Sequence, residues 1–136
     1  MSNDARTMLV DIYDAWADHD LDRLASYLPS DFTHHINIPT RQVALSGTRR
    51  GKRATIERLG QIFDRFDTQQ IKPGPISVLD LGATLEVETR CLHRASRNLL
   101  HTKKKQVWLL EDGWPISLSE YYDLEQFAAF MKKAAP

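Results

Sequence analysis

The chain has 136 residues, enough for one domain with a sizeable core and too few for two comfortable ones. Its eighteen basic and eighteen acidic side chains cancel, so no net field favours a polyanion, which argues against a dedicated nucleic-acid or anionic-membrane surface and for a small or neutral partner. Cys91 stands alone, without a disulfide framework or a cysteine-based zinc site. With no basic leader and no run near the ~20 apolar residues that a membrane span requires, the expectation is a soluble, cytoplasmic protein.

In chain order, Ala5, Met8, Leu9, Ile12, Tyr13 and Trp16 recur at spacings of three and four, which predicts a helix over 3–17 that buries Tyr13 and Trp16 together. Asp20 can cap a second, short helix with Leu21, Leu24, Tyr27 and Leu28 on its apolar face, ended by Pro29. A strand follows over 32–38, then a loop over 39–48. Gly51 opens a helix with Ile56, Leu59, Ile62, Phe63 and Phe66 on the side that should lie on a sheet. The run 71–81 holds Pro73, Gly74 and Pro75, so it reads as irregular at first and strand-like from Ile76.

Past a turn at Gly82, a strand over 84–94 alternates Leu85, Val87, Thr89, Cys91 and His93 against Glu86, Glu88, Arg90, Leu92 and Arg94. The apolar and β-branched runs 106–110 and 114–122 flank Asp112-Gly113, the dipeptide that supplies the positive φ angles of a type I′ hairpin. On the second arm Ile116, Leu118, Glu120 and Tyr122 share one face, and Asp123 with Gln126 reads as the N-cap of a final helix. Helices, strand, helix, a meander of strands and a closing helix make an α+β arrangement: a curved, mostly antiparallel sheet wrapped around helices as a cone. Such a cone leaves a cavity.

Several residues are candidates for that cavity. Glu120 ends an apolar stripe, and a carboxylate buried there would have its pKa raised by desolvation, which suits general acid/base work. Strand periodicity turns Phe32, His34, Ile36 and Ile38 to the more apolar face and leaves Thr33, His35 and Asn37 on the other. Arg90 shares a face with Glu86 and Glu88, where an arginine is more often a cross-strand ion-pair partner than a catalytic residue. The clusters Arg49-Arg50-Gly51-Lys52-Arg53 and Lys103-Lys104-Lys105 read as a solvated loop and a charged strand end. No His/Cys/Asp/Glu group stands at metal-ligand spacing, so no metal or other cofactor is expected.

The segments IYDAWADHDLDRLASYLPSDF, HINIP, SGTRRGKRATIERLGQIF and DGWPISLSEYYDLEQF resemble, in order and over nearly the whole chain, the nuclear transport factor 2-like superfamily. Its ketosteroid isomerase-like, SnoaL-like polyketide cyclase and limonene epoxide hydrolase-like branches share this order of motifs. The resemblance implies that Tyr13 donates to an oxyanion, that His35 and Asn37 of HINIP hold a water, and that Glu120 of Glu120-Tyr121-Tyr122-Asp123 is the acid/base group. On the motif match His35 is preferred for the pocket, with His34 as the alternative. The chain departs from the pattern at two carboxylates: Ile36 stands where the isomerases keep their base, and Arg90-Cys91-Leu92 where the hydrolases keep Arg-x-Asp. The expected cavity is therefore lined by Tyr13, Trp16, Phe32, His35, Asn37, Phe63 and Glu120, with Arg90 as a further substrate contact. The implied protein is a homodimeric, cofactor-independent enzyme that moves a proton or adds water on a small apolar carbonyl or polycyclic compound; the alternative is a non-catalytic binding or assembly module of the same fold.

Overall fold

The computed structural model describes residues 2–38 and 46–134. Among these residues four helices, α1 (Ser2–Ala17), α2 (Leu21–Ala25), α3 (Lys52–Arg65) and α4 (Leu124–Ala134), lie against a sheet of seven strands. The strands are β1 (Thr33–Ile36), β2 (Gly47–Arg50), β3 (Phe66–Pro73), β4 (Ser77–Leu79), β5 (Gly82–His93), β6 (Leu99–Glu111) and β7 (Trp114–Tyr121). Their order is β2-β1-β7-β6-β5-β3, with β4 also paired to β5. Every pairing is antiparallel except β1 on β7, which is parallel. This is the expected α+β architecture.

Local chemistry explains most element ends. Asp20 accepts from the Arg23 amide at 3.1 Å and starts α2, and Asp123 accepts from the Gln126 amide at 2.9 Å and starts α4. Asp112 and Gly113 take φ of 52° and 81°, the left-handed pair that turns β6 into β7. Across the hairpin the register shifts between Leu109 and Leu110, opposite Pro115, where a missing amide donor costs no ladder bond.

Three expectations change. Helix α2 stops at Ala25 rather than running to Leu28, because the Ser26 hydroxyl bonds back to the Arg23 carbonyl and single turns carry the chain to Pro29. Of the loop expected over 39–48, residues 39–45 lie outside the described residues, and Gly47 and Thr48 belong to β2, antiparallel to β1. Strand β3 begins directly after α3 and runs through Ile71 to Pro73, so the irregular stretch is confined to the few residues before β4. Proline is tolerated there because it ends an edge strand.

The main core packs α1, α2 and α3 onto the concave sheet through Leu9, Ile12, Tyr13, Trp16, Phe32, Leu59, Phe63, Trp108 and Leu118. A second cluster, Ile36, Ile38, Leu100, Phe127 and Phe130, seats α4 beside it. Among the described residues no helix is long and apolar enough to cross a membrane.

Candidate functional site

Strands β6 and β7 pair so that Gln106 stands opposite Glu120, and β1 runs parallel on the far side with Ile36 beside Glu120. Alternation along β6 turns Thr102, Lys104, Gln106 and Trp108 inward and Lys103 and Lys105 outward. The middle lysine of the triplet is therefore buried beside the carboxylate of the next strand. Glu120 is 1% exposed and Lys104 5%.

Hydrogen bonds converge on Glu120. Its Oε1 accepts from Lys104 Nζ at 2.6 Å and from Gln106 Nε2 at 2.8 Å, and its Oε2 meets His34 Nε2 at 2.5 Å. Behind His34, Arg58 on α3 donates from Nη1 to Nδ1 at 3.3 Å and from Nη2 to the Gly47 carbonyl at 2.9 Å. A guanidinium cannot accept, so Nδ1 is the acceptor and the Nε2–H tautomer donates to Glu120. On the other side Trp108 Nε1 donates to the Tyr13 hydroxyl at 3.0 Å, which donates to Gln106 Oε1. Lys104 also donates to the Tyr122 hydroxyl at 3.2 Å and lies 5.3 Å from the centre of the Trp16 ring.

The charge states follow. Burial alone would raise the Glu120 carboxyl, but the Lys104 ammonium and the His34 bond hold it well below the usual carboxylate range. Burial opposes charge on Lys104, yet Glu120 and the Tyr122 hydroxyl raise its pKa and keep it protonated. Burial lowers His34, outweighing Glu120, so the ring is neutral. Burial pushes Tyr122 up to about 12, and burial with Arg49 draws Arg58 down to about 10, so one stays a phenol and the other a cation at neutral pH. The desolvation-raised Glu120 expected from the sequence is corrected: the buried cation beside it wins.

A cavity of about 90 Å³, partly open to the surface, ends on this network. Lys104, Glu120 and Tyr122 form its polar floor, and Trp16, Ile62, Phe63 and Phe66 are among its apolar walls. A smaller void of about 20 Å³ lies behind it, between His34, Phe32 and Trp108. Among the described residues no three His, Cys, Asp or Glu side chains stand together as metal ligands.

Of the residues singled out in the sequence, Glu120, Trp16 and Phe63 meet at the larger cavity. Phe32 lines the smaller void, and Tyr13 is buried one hydrogen bond behind Gln106. His35 is on the opposite face of β1, where Nδ1 meets Thr48 Oγ1 at 2.8 Å; His34 takes the inward position, because strand alternation decides it. Asn37 is a clamp rather than a cavity residue: its Oδ1 accepts from the Tyr122 amide at 2.9 Å and its own amide donates to the Glu120 carbonyl at 3.1 Å. Arg90 alternates outward, away from the lining residues Thr89 and Cys91, and pairs in register with His101 on β6. Sequence reasoning missed Lys104 and Arg58. Period-2 counting back from Trp108 through Gln106 would have found Lys104; Arg58 carries no such signal, since an arginine beside Leu59 on an amphipathic helix normally reaches water.

No family model and no curated protein matches the chain. Solved structures do. An NTF2-like protein from Burkholderia pseudomallei superposes with a TM-score of 0.84 at 15% identity, covering 94% of this chain and 97% of that one. TerC, co-crystallised with polyporic acid, gives 0.83 at 13% identity over 95% and 98%. An LEH-like epoxide hydrolase from M. tuberculosis gives 0.77 at 15% identity over 96% and 91%. The chain has the nuclear transport factor 2-like fold, which hosts unrelated chemistries and so fixes no activity.

Proposed function

We propose that this nuclear transport factor 2-like chain is a cofactor-independent acid/base enzyme for a small, largely apolar carbonyl compound, with Glu120 as base and Lys104 and Tyr122 as donors to the substrate oxygen. The observation that carries the reading is the buried Lys104–Glu120 pair at the floor of a largely apolar cavity. A buried ion pair is no better for stability than apolar residues of the same volume, and a site for a purely apolar molecule gains nothing from one. Proton transfer needs both members. A C–H bond next to the carbonyl breaks, its proton passes to Glu120, its electron pair forms the C=C bond, and the oxyanion rests on Lys104 and Tyr122. Returning the proton to a different carbon completes an isomerisation; in a hydration Glu120 instead takes a proton from a water whose oxygen bonds to the β-carbon of an enone, the C=C electrons pass to the oxyanion on the same donors, and the α-carbon takes the proton back. His34, Gln106 and Tyr13 are positioning residues, holding the carboxylate without lining the cavity.

The second reading is a binding module of the same fold. It is favoured by the depressed Glu120 carboxyl, which makes a weak base, and TerC with polyporic acid is an example of this fold holding a small molecule. A thermal-shift screen of apolar ketones, lactones, epoxides and polyketide-like acids finds ligands, and NMR in deuterated water then decides. An enzyme exchanges the α-hydrogens of a bound ketone and a module does not. In Glu120→Gln exchange or turnover should fall ~10²–10⁴-fold; a fully active variant would sink the assignment. The homodimer remains a proposal, supported by exposed Leu99, Leu109, Trp114 and Tyr121, and light scattering tests it.

A further inference from the structure

The buried network beneath the floor of the cavity carries an excess of positive charge, with Lys104 at the floor and Arg58 behind His34. Resting on the reading of that cavity as a small-molecule site, we infer that its ligand binds as an anion: an apolar body bearing one negatively charged oxygen, a phenolate, enolate or carboxylate, seated on Lys104 and Tyr122.

The charge count carries the inference. Lys104, Arg58 and Glu120 are 5%, 1% and 1% exposed, two cations to one carboxylate. His34 between them adds no negative charge, and if it gained a proton the excess would grow. Among the described residues Arg58 meets only carbonyl oxygens of His34, Ser46 and Gly47 besides the imidazole, and its Nε has no hydrogen-bond partner there. Among the described residues neither cation has an ion pair other than Lys104 with Glu120. Asp67 acts on His19, which stacks on the lining residue Phe63, and Arg94 opposes it there. The segment 39–45, PTRQVAL, contains no Asp or Glu that could close the gap. A buried charge without a partner is costly, and a ligand that brings the missing negative charge removes that cost.

The polarity of the floor agrees. Lys104 spends one ammonium hydrogen on Glu120 and one on the Tyr122 oxygen, which leaves a third. Tyr122 accepts from Lys104, and among the described residues no acceptor takes its own hydroxyl hydrogen. Both groups line the cavity, and both are donors. Glu120, the acceptor, already takes bonds from three side chains. Two donors beside a cation and under an aromatic wall fit an oxyanion on a flat apolar body.

4-Nitrophenol is a suitable probe, because its anion absorbs in the visible, and nitrobenzene is a neutral counterpart of similar shape. An opposite charge within ~4–6 Å lowers an acid's pKa by about 1–3 units. The bound phenol should therefore ionise about 1–3 units below its free value, which is the same as the anion binding ~10–1000-fold tighter than the neutral form. Nitrobenzene should bind correspondingly weakly, and Lys104→Met should abolish the shift. The wild-type titration stands alone even if that variant folds poorly. A bound phenol whose pKa is unchanged or raised, or nitrobenzene binding as tightly as the phenolate, overturns the inference while leaving the enzyme reading intact. Conversely, anion preference without exchange of any bound ketone upholds it and removes only the catalytic reading; binding of neither probe removes both.

Discussion

Replacing Lys104 with methionine keeps a long apolar stem and deletes the ammonium, so the Glu120 carboxylate becomes a buried charge facing only the N–H groups of His34 and Gln106. Breaking a buried pair this way costs about 3–5 kcal/mol. The two surviving donors argue for the lower end, about 3 kcal/mol, out of a total on the order of 5–15 kcal/mol. Glu120→Gln leaves the ammonium with the Tyr122 hydroxyl and should cost a similar amount. The double variant buries no charge at either position, so its loss should fall short of the sum by at least about 2 kcal/mol. Equilibrium urea unfolding followed by circular dichroism and tryptophan fluorescence measures all three. Acid adds an independent signature. In the wild type Glu120 is held below its unfolded value of ~4.3, so its contribution is complete above that pH and is lost only as the pH falls further. In Lys104→Met burial lifts the carboxyl above ~4.3; the folded state then holds the extra proton, and stability relative to wild type recovers as the pH falls from ~7 to ~5. Losing Lys104 also removes a charge that lowers His34, so that ring is less penalised in acid in the variant and adds to the recovery. Losses that add within ~0.5 kcal/mol, with no recovery in acid, would refute the reasoning.

The two adjacent histidines should separate cleanly: His34→Ala strips Glu120 and Arg58 of a partner and should cost about 2–3 kcal/mol, while His35→Ala should stay within ~0.5 kcal/mol, both read from urea midpoints. Tyr13→Phe leaves the Trp108 indole N–H and the Gln106 carbonyl unpaired in the core and should destabilise by about 1–3 kcal/mol in the same measurement. At Gly82 an added Cβ would sit 2.1 Å from the Trp108 carbonyl oxygen, a backbone atom with nowhere to go. Gly82→Ala should therefore reach or exceed the top of the about 1–3 kcal/mol range for overpacking, seen as a lowered melting temperature.

Most of the fold could be read from local signals that need no partner. Asp112-Gly113, Asp20 and Asp123 set their turns and caps through their own backbones, and the helical spacing of Tyr13 and Trp16 points into the core that holds them. What escaped depended on distant pairing. Gly47–Arg50 is a strand only because β1 lies beside it, and Lys104 looks like one of three solvated lysines until the carboxylate of the next strand is placed opposite its neighbour. At His35 a motif match outweighed plain alternation, and alternation was the sounder physics because a one-residue shift turns every side chain of a strand over.

The hydrogen bonds of the site join residues far apart along the chain. His34 and Glu120 are separated by 86 positions, and Tyr13 and Trp108 by 95. Closing loops of that length comes before the contacts that reward it, so parallel docking of β1 on β7 belongs late on the folding route. On the ribosome, a chain that has emerged through β6 already carries Lys104 but lacks the carboxylate that justifies burying it, and the ammonium can stay in water until β7 arrives. The polar floor is thus completed only when β7 joins β6, which makes an intact β6–β7 hairpin the condition for having a site at all.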